Sequence, residues 1–464
     1  MKDRANNNQI GLFLGLLVLS AALRIYRINQ GLWYDELYTC ISFLPMSFGQ
    51  IISSAPYPNN HILYTMLAKI SEYFFGRHEW ALRLPSLLLG GMTAPVFFLF
   101  ARKKCGDFIA LVSGVFLAVN YWQVSFGQDA RGYAGLILFS MLSQSFYLDW
   151  LEGRDRKKLP WYFLFSILGC YFHLYFTFIL AGQFFFGFWK RFSSDGKGTV
   201  WSFLVPLIAL AVSWSLYLPV YSQLFEYVDI RGHRLESQWL DAAFVKNCAA
   251  LFSGSHLFWP GVLLSLVAFA GVHRVHKNWP GIFWTYLISM TLVIAFTWGF
   301  HVFIFARFVS FVMPLYCLCL GAGIDVMAGT ASRAVPFLRK KILLAVLSLT
   351  ILLVMSLSLV RYYHLGKQGF KDAAAYIQKN HPGKTVLSYG NSAIEFTYYY
   401  RDAVPVRLDG ILKPMDVTGN LVVAAFPASW TRHNISVLHE HCLPEKIWPS
   451  ALGEGLEVYL FSCH

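Results

Sequence analysis

The first 28 residues, MKDRANNNQIGLFLGLLVLSAALRIYRI (1–28), decide the class of fold. A short polar and basic start is followed by an apolar run that reaches the length of about 20 residues needed to span a membrane. The first half is similar to a secretory signal peptide, but the apolar run continues to the length of a membrane span. We therefore predict an uncleaved first transmembrane helix.

The rest of the chain repeats this apolar pattern. Of its 464 residues, 56% are hydrophobic and 14% are charged, whereas soluble domains carry roughly a quarter charged residues. This composition predicts an α-helical polytopic membrane protein. The net charge of +13 does not indicate nucleic-acid binding, because most basic residues lie in short runs between apolar stretches, where they set topology.

The distribution of Lys and Arg predicts the topology. One set of connecting stretches holds 18 of these residues, and the alternate set holds 7 over a much greater length. This asymmetry fits best if residues 161–189 form a helical hairpin that turns near His173. It predicts about 11 transmembrane helices within residues 1–363 and a cytoplasmic N-terminus. Two long outer loops follow from the same arrangement, at 28–78 and 223–257.

Residues 364–464 differ in composition from the membrane domain. The stretch FKDAAAYIQKNHPGKTVLSYG (370–390) predicts a helix, a Pro-Gly turn and a strand. GNLVVAAFP (419–427) and LEVYLFS (456–462) predict further strands. These elements predict a small extracytoplasmic α/β domain in the C-terminal region. It contains Cys442 and Cys463, whose spacing alone does not decide whether they pair.

Several polar side chains lie at the predicted outer membrane boundary, next to the apolar helices. Ionisable groups in such positions are costly unless they are paired or lie in a wet cavity, so each is a functional hypothesis. These side chains are Asp35, Glu36, Asn60, His61, Gln128, Asp129, Arg131, Tyr133, His173 and Arg307.

The chemistry of these groups is typical of a sugar transferase. A carboxylate can take a proton from an acceptor hydroxyl as general base. Because adjacent residues do not easily point the same way, we expect one of Asp35 and Glu36 to be the base and the other to orient or bind sugar. Arg131 and Arg307 suit a phosphate, which a guanidinium fork binds well. Together they predict transfer of a sugar from a lipid phosphate at the outer face.

Four motifs carry a resemblance to a known family: GLWYDE (31–36), NNHILY (59–64), EWALRLPSLLLGG (79–91) and SFGQDARGYA (125–134). The chain resembles the polyprenyl-phosphate-sugar-dependent glycosyltransferases of the C-type superfamily, the branch of protein O-mannosyltransferases and lipid A aminoarabinose transferases. The resemblance is good over roughly residues 25–190 and loose beyond. It implies an inverting hexosyl or pentosyl transfer without a nucleotide sugar.

The resemblance also implies roles for individual residues. Asp35 matches the catalytic aspartate of the family's first loop, and Glu36 matches its acidic neighbour. Arg131 and Arg307 fall where such proteins place basic groups near the lipid phosphate, and we assign His61 and His173 to the same phosphate. The expected sugar or acceptor ligands are Asn60, Gln128, Asp129 and Tyr133.

One departure from the family pattern affects specificity. Many relatives have a Pro-Pro pair before the LY of the first loop, and this chain has Asn59-Asn60-His61, so the identities of sugar and acceptor are not carried over. The predicted partners are a polyprenyl-phosphate-linked sugar donor, an acceptor lipid, glycan or protein, and membrane lipids. No cofactor is expected to be required. No tight ligand spacing such as HExxH occurs, so a divalent metal, although possible, is not predicted.

Two alternative functions compete with the transferase. A transporter or flippase of lipid-linked saccharides would be expected to show repeat-related halves and charged or broken helices near the bilayer midplane. A non-catalytic scaffold for envelope assembly would not need the acidic pair. The polar groups cluster at one face and no internal repeat is visible, which favours the enzyme.

Overall fold

The computed structural model describes most of the chain and divides it into two compact units. The helical unit comprises Met1–Tyr26, Phe48–Phe74 and Leu82–Leu359, and the mixed unit comprises Arg27–Ser47, Phe75–Ala81 and Val360–His464. The described residues are 2–54, 60–153, 155–193, 198–232, 240–302, 304–335, 339–390, 393–406, 419–425, 438, 440, 442–452 and 456–463.

Helices form most of the described structure. In chain order they are α1 (Lys2–Ile25), α2 (Tyr34–Ser42), α3 (Phe48–Ser53), α4 (Ile62–Phe75), α5 (Glu79–Cys105), α6 (Asp107–Val119), α7 (Tyr121–Gly127), α8 (Tyr133–Gly153), α9 (Leu159–Phe172), α10 (Phe176–Phe192), α11 (Trp201–Ser215), α12 (Tyr221–Gly232), α13 (Ala242–Ser253), α14 (Phe258–Asn278), α15 (Pro280–Phe300), α16 (Met313–Ala334), α17 (Lys340–Leu365), α18 (Phe370–Asn380) and α19 (Ala393–Phe396). Short 3-10 helices lie at Arg156–Lys158, Leu218–Val220 and Ala306–Val312.

The chain has several helices that can cross a membrane, as predicted. Within the described residues, six are long and apolar enough, or eight if each of two bent helix pairs is one span. The predicted number of about 11 is not confirmed. Part of the difference lies in α9 and α10, whose 14 and 17 residues are fewer than the roughly 20 of a typical span. The predicted turn near His173 is confirmed, because α9 ends at Phe172 and α10 begins at Phe176.

One apolar stretch that reads as a single span is bent. Helices α6 and α7 meet at 63°, and Asn120 lies at the break. Its Oδ1 accepts hydrogen bonds from the Trp122 and Gln123 backbone N–H groups at 3.0 and 3.3 Å. Its Nδ2 donates to the Leu251 carbonyl at 3.0 Å. Asn120 therefore caps α7 and joins the bend to α13, since an N-cap side chain satisfies the first free N–H groups of a helix.

Helices α14 and α16 pack closely against each other. A Cβ atom added at Gly271 would meet the Cys319 carbonyl oxygen, and one added at Gly323 would meet the Val267 carbonyl oxygen. Small residues allow this backbone-to-backbone approach, which is a frequent device in membrane helix pairs.

A buried polar network joins α8, α9 and α10. The Gln183 side chain donates to Ser143 Oγ at 3.1 Å and to Gln144 Oε1 at 3.0 Å, and it accepts from the Tyr162 hydroxyl at 2.9 Å. Hydrogen bonds between helices stabilise apolar bundles and fix their register. This network therefore holds the α9–α10 hairpin, and with it the turn that carries His173, against α8.

The mixed unit contains the predicted α/β elements. Its five strands are β1 (Val386–Tyr389), β2 (Val404–Val406), β3 (Leu421–Ala425), β4 (Cys442–Trp448) and β5 (Val458–Cys463), in the spatial order β2-β1-β3-β5-β4. Strands β2, β1 and β3 are parallel, and β5 is antiparallel to both β3 and β4. Helix α18 and strands β1, β3 and β5 confirm the secondary structure predicted from their sequences. Cys442 and Cys463 lie opposite each other and form a disulfide.

Candidate active site

Two histidines of the helical unit lie side by side, as their shared assignment predicts. His61 precedes α4, and His173 follows α9. Their ring centroids are 4.7 Å apart. The Phe172 carbonyl lies 3.2 Å from His61 Nδ1, and the Tyr175 backbone N–H lies 3.2 Å from His173 Nδ1. The helix end and turn around residues 172–175 therefore position both rings.

These backbone contacts fix the tautomers of the two rings. A carbonyl only accepts, so His61 Nδ1 carries a hydrogen and its Nε2 has the lone pair. A backbone N–H only donates, so His173 Nδ1 has the lone pair and its Nε2 carries the hydrogen. His61 Nε2 is buried and has no hydrogen-bond partner among the described residues.

Tyr133 connects the histidines to two arginines. Its ring lies 5.6 Å from that of His61 and 4.9 Å from that of His173. Arg307 Nε donates to the Tyr133 hydroxyl at 3.0 Å, and the Arg131 guanidinium carbon lies 5.8 Å from the Tyr133 ring centroid. We call His61, Arg131, Tyr133, His173 and Arg307 the basic cluster. Four of its members are the residues predicted to bind the donor phosphate, and the structure brings all four together.

The charge of the basic cluster comes from its arginines. Burial holds the pKa of His61 well below its usual value, and Arg131 and His173 lower it further. Burial, followed by Arg131 and Arg307, lowers the pKa of His173 to about 3. Both imidazoles are therefore neutral at pH 7, and the two guanidinium groups give the cluster an anion-binding character.

The absence of a side chain at Gly132 allows the residues of the basic cluster to pack closely. A Cβ atom at this position would meet the Phe172 carbonyl oxygen and would lie 2.9 Å from His61 Nδ1. These are the two atoms that form the hydrogen bond fixing the His61 tautomer.

We expect Gly132→Ala to lower the free energy of unfolding by about 1–3 kcal/mol, because overpacking forces side chains and backbone to shift. Thermal or denaturant unfolding in detergent measures this. Gly91→Ala is the control, since a Cβ atom there has nothing within 4 Å. It should be neutral, or stabilising by up to about 1 kcal/mol through helix propensity. Equal effects of the two changes would contradict the close packing of Gly132.

The other residues predicted to bind sugar or acceptor have contacts of their own. The Asn60 amide donates to the Ile51 carbonyl at 2.9 Å, and the Gln128 amide donates to the Arg24 and Tyr26 carbonyls at 2.8 and 2.6 Å. Asp129 is buried, and its carbonyl accepts from the Arg131 N–H at 2.7 Å. These bonds position the loops on either side of the basic cluster. Sugar or acceptor binding by these residues stays a prediction.

The predicted acidic pair lies in the first turn of α2, in the mixed unit. Glu36 Oε2 accepts from the Trp33 backbone N–H at 3.2 Å, and Glu36 Oε1 lies 3.7 Å from Lys367 Nζ. The side chains of Glu36 and Lys367 are both 0% exposed. Asp35 is also buried, and the dipole of α2 favours a negative charge at this position. Glu36 therefore caps the helix and forms a buried ion pair.

Lys367 is the residue that sequence reasoning missed. It belongs to Gly366-Lys367-Gln368-Gly369, which we call the GKQG loop, between α17 and α18. Gln368 Oε1 accepts from the Tyr34 backbone N–H at 2.9 Å, and the Lys367 carbonyl accepts from the Ser450 hydroxyl. Gly366 has a φ of +71°, which glycine adopts without strain. The sequence feature that could have indicated this role is a single lysine between two glycines, directly after an apolar helix.

No group of three or more His, Cys, Asp or Glu side chains that could hold a metal ion occurs in the described part of the chain.

Comparison with known proteins agrees with the fold and with the resemblance read from the motifs. Residues 59–219 match the family of Dolichyl-phosphate-mannose-protein mannosyltransferase. No curated protein matches by sequence. This chain is similar in structure to ArnT from Cupriavidus metallidurans in the apo state, with a TM-score of 0.56, 13% identity, and coverage of 99% of this chain and 98% of that chain.

Two further solved structures are similar. ArnT from Cupriavidus metallidurans bound to undecaprenyl phosphate has a TM-score of 0.55 and 12% identity, over 98% of this chain and 97% of that chain. The archaeal oligosaccharyltransferase AglB from Archaeoglobus fulgidus, in complex with an inhibitory peptide and a dolichol-phosphate, has a TM-score of 0.54 and 10% identity, over 97% of this chain and 74% of that chain. The resemblance to polyprenyl-phosphate-dependent glycosyltransferases is thus confirmed, through the family match of residues 59–219 and a fold shared with ArnT and AglB.

Proposed function

We propose that this chain is an integral membrane glycosyltransferase of the inverting type. It moves a sugar from a polyprenyl-phosphate donor to an acceptor at the outer face of the membrane. The observation that carries the proposal is the basic cluster, in a chain whose fold is shared with proteins solved with undecaprenyl phosphate and with dolichol-phosphate. The donor sugar is a hexose or a pentose, and the acceptor is a lipid, a glycan or a protein.

The basic cluster binds the donor phosphate in this proposal. A sugar phosphodiester carries one negative charge, and the lipid phosphate that departs carries a second as its bond to the sugar breaks. Arg131 and Arg307 supply fixed positive charge, and His173 supplies an Nε2–H donor. Donors held ready for charge that develops in the transition state lower the barrier without rearranging.

Asp35 is the proposed general base, which takes the proton of the acceptor hydroxyl or amine. Its match to the family's first-loop aspartate supports this role. The contacts of Glu36 with the Trp33 N–H and with Lys367 support a different role for the second carboxylate. Glu36 holds the first turn of α2 and thereby orients Asp35.

The proposed orientation has the N-terminus in the cytoplasm and the C-terminal region outside it. The asymmetry of Lys and Arg along the sequence supports this orientation. The disulfide between Cys442 and Cys463 also supports it, because such bonds persist in oxidising compartments.

Release of free polyprenyl phosphate tests the proposed activity. The purified protein in lipid nanodiscs is incubated with a panel of polyprenyl-phosphate sugars and candidate acceptors, and lipid and glycan products are separated by mass. A transferase releases polyprenyl phosphate and glycosylates an acceptor. A transporter moves the intact donor across a vesicle bilayer without cleaving it, and a scaffold does neither. Movement of intact donor with no cleavage would therefore reject the enzyme.

Arg307→Gln should weaken donor binding by about 10- to 100-fold, because a hydrogen bond to a charged group contributes about 1.5–3 kcal/mol. The readout is the KM for the donor, or the Kd of a polyprenyl phosphate. Arg156→Gln is the control, since Arg156 is exposed in a short 3-10 helix, and it should leave both constants unchanged. Equal donor affinity in the wild type and in Arg307→Gln would remove Arg307 from the phosphate site.

A further inference from the structure

The two histidines of the basic cluster differ in how they can accept a proton. Protonation of His173 would place a hydrogen on Nδ1, where it would oppose the Tyr175 N–H that now donates to that atom. Protonation of His61 would place a hydrogen on Nε2 and would leave the bond from Nδ1 to the Phe172 carbonyl intact. An extra proton therefore costs a hydrogen bond at His173 and costs none at His61.

His61 Nε2 also needs a partner. It is buried and has no hydrogen-bond partner among the described residues, and leaving a buried polar atom unsatisfied costs about 1–3 kcal/mol. As a lone-pair acceptor, it cannot bind an anionic phosphate oxygen. As an N–H donor, it can.

The substrate and the product of the proposed reaction differ in charge at this place. The donor is a phosphodiester with one negative charge. The product is a phosphomonoester, whose second pKa near ~6 makes it a dianion at pH 7.5. The basic cluster carries the charge of two guanidinium groups while both imidazoles are neutral, and a third positive charge would match the product better than the donor.

We propose that His61 takes up one proton at Nε2 when the basic cluster holds a phosphomonoester dianion, and that the imidazolium then binds a phosphate oxygen. This inference rests on the proposed function. The proton comes from water or arrives on the phosphate, and no other bond is made or broken. The charged and titratable groups that act on His61 are Arg131, His173 and Arg307, with the Tyr133 ring beside it.

The low pKa of His61 agrees with this behaviour. Burial and the neighbouring positive groups keep the ring neutral, and a bound dianion would reverse the sign of the local charge. The proton taken up makes the affinity for the released lipid phosphate dependent on pH, whereas the affinity for the donor does not depend on it. The uptake of one proton thus distinguishes the released polyprenyl phosphate from the polyprenyl-phosphate sugar donor.

The experiment measures proton uptake on binding. Farnesyl phosphate, a short polyprenyl phosphomonoester, is titrated into the full-length protein by calorimetry at pH 7.5 in two buffers of different ionisation enthalpy. We expect uptake of about one proton, and a Kd that falls about tenfold from pH 8 to pH 7 by linkage. The methyl ester of farnesyl phosphate, a monoanionic phosphodiester, should bind with no uptake and with a Kd independent of pH.

Variants assign the proton to one residue. His61→Gln should bind farnesyl phosphate without uptake, whereas His173→Gln and His273→Gln, the latter at an exposed position on α14, should keep it. Binding without uptake in the wild type would overturn the inference and leave the donor site standing, as would uptake that survives His61→Gln. Failure of both ligands to bind would overturn the donor site itself and this inference with it.

Discussion

Asp35→Asn is expected to lower the rate of sugar transfer by about 10²–10⁴-fold, the usual contribution of a general base. The amide keeps the size and most of the polarity of the side chain but cannot take a proton at neutral pH. Donor affinity should stay within a few-fold of the wild type, because the proposed phosphate ligands are untouched. The measurement is the rate of polyprenyl phosphate release at saturating donor, together with the KM for that donor.

The matched control is Asp402→Asn, which changes an exposed carboxylate of the same mixed unit. It should transfer sugar at the wild-type rate. A folded Asp35→Asn protein that works as fast as this control would show that Asp35 is not the base. A large rise in KM with an unchanged maximal rate would instead make Asp35 a binding residue.

Lys367→Met is expected to lower the free energy of unfolding by about 3–5 kcal/mol, because it removes the charge opposite a carboxylate that stays buried. The side chains of Glu36 and Lys367 are both fully buried. The measurement is denaturant unfolding of the purified protein in detergent. Transfer activity should fall as well, since the first turn of α2 carries Asp35.

The double variant Glu36→Gln/Lys367→Met separates the ion pair from simple loss of packing. Removing both charges of a buried pair is often close to neutral, so the double variant should be more stable than Lys367→Met alone. Lys371→Met is the surface control. Lys371 lies 2.7 Å from Glu79 and is 45% exposed, so its loss should cost less than about 1 kcal/mol. Additive destabilisation in the double variant would mean that Glu36 and Lys367 are not coupled.

The sequence predicted the local features of this molecule well. The hydrophobic stretches, the turn at His173 and the strands of the C-terminal region follow from periodicity and turn residues within short windows. The grouping of His61, Arg131, His173 and Arg307 was also predicted, because topology placed each of them at the same boundary. Predictions of this kind depend either on residues that are close in the sequence or on the positive-inside rule, which applies to the whole chain.

Three other features that depend on distant partners were not predicted. The role of Lys367 follows from its ion pair with Glu36, and no local sequence pattern predicts that these two residues meet. The bend at Asn120 depends on carbonyl groups of α13, so the sequence predicts residues 107–126 as one apolar span. The Cys442–Cys463 pairing depends on the register of β4 against β5. Each is a long-range contact that hydrophobic periodicity does not encode.

The buried pair of Glu36 and Lys367 also constrains how the protein is made. Position 367 is synthesised 331 residues after position 36, which takes roughly 20–60 s at typical elongation rates. During that time the membrane helices emerge from the ribosome in order. Glu36, in the first turn of α2, has no Lys367 to pair with until that residue is synthesised. A nascent chain that stops before the GKQG loop would hold every residue of the basic cluster and still lack the counter-charge of Glu36. Assembly of the acidic turn thus becomes a late step in biogenesis, reached only by chains translated beyond position 367.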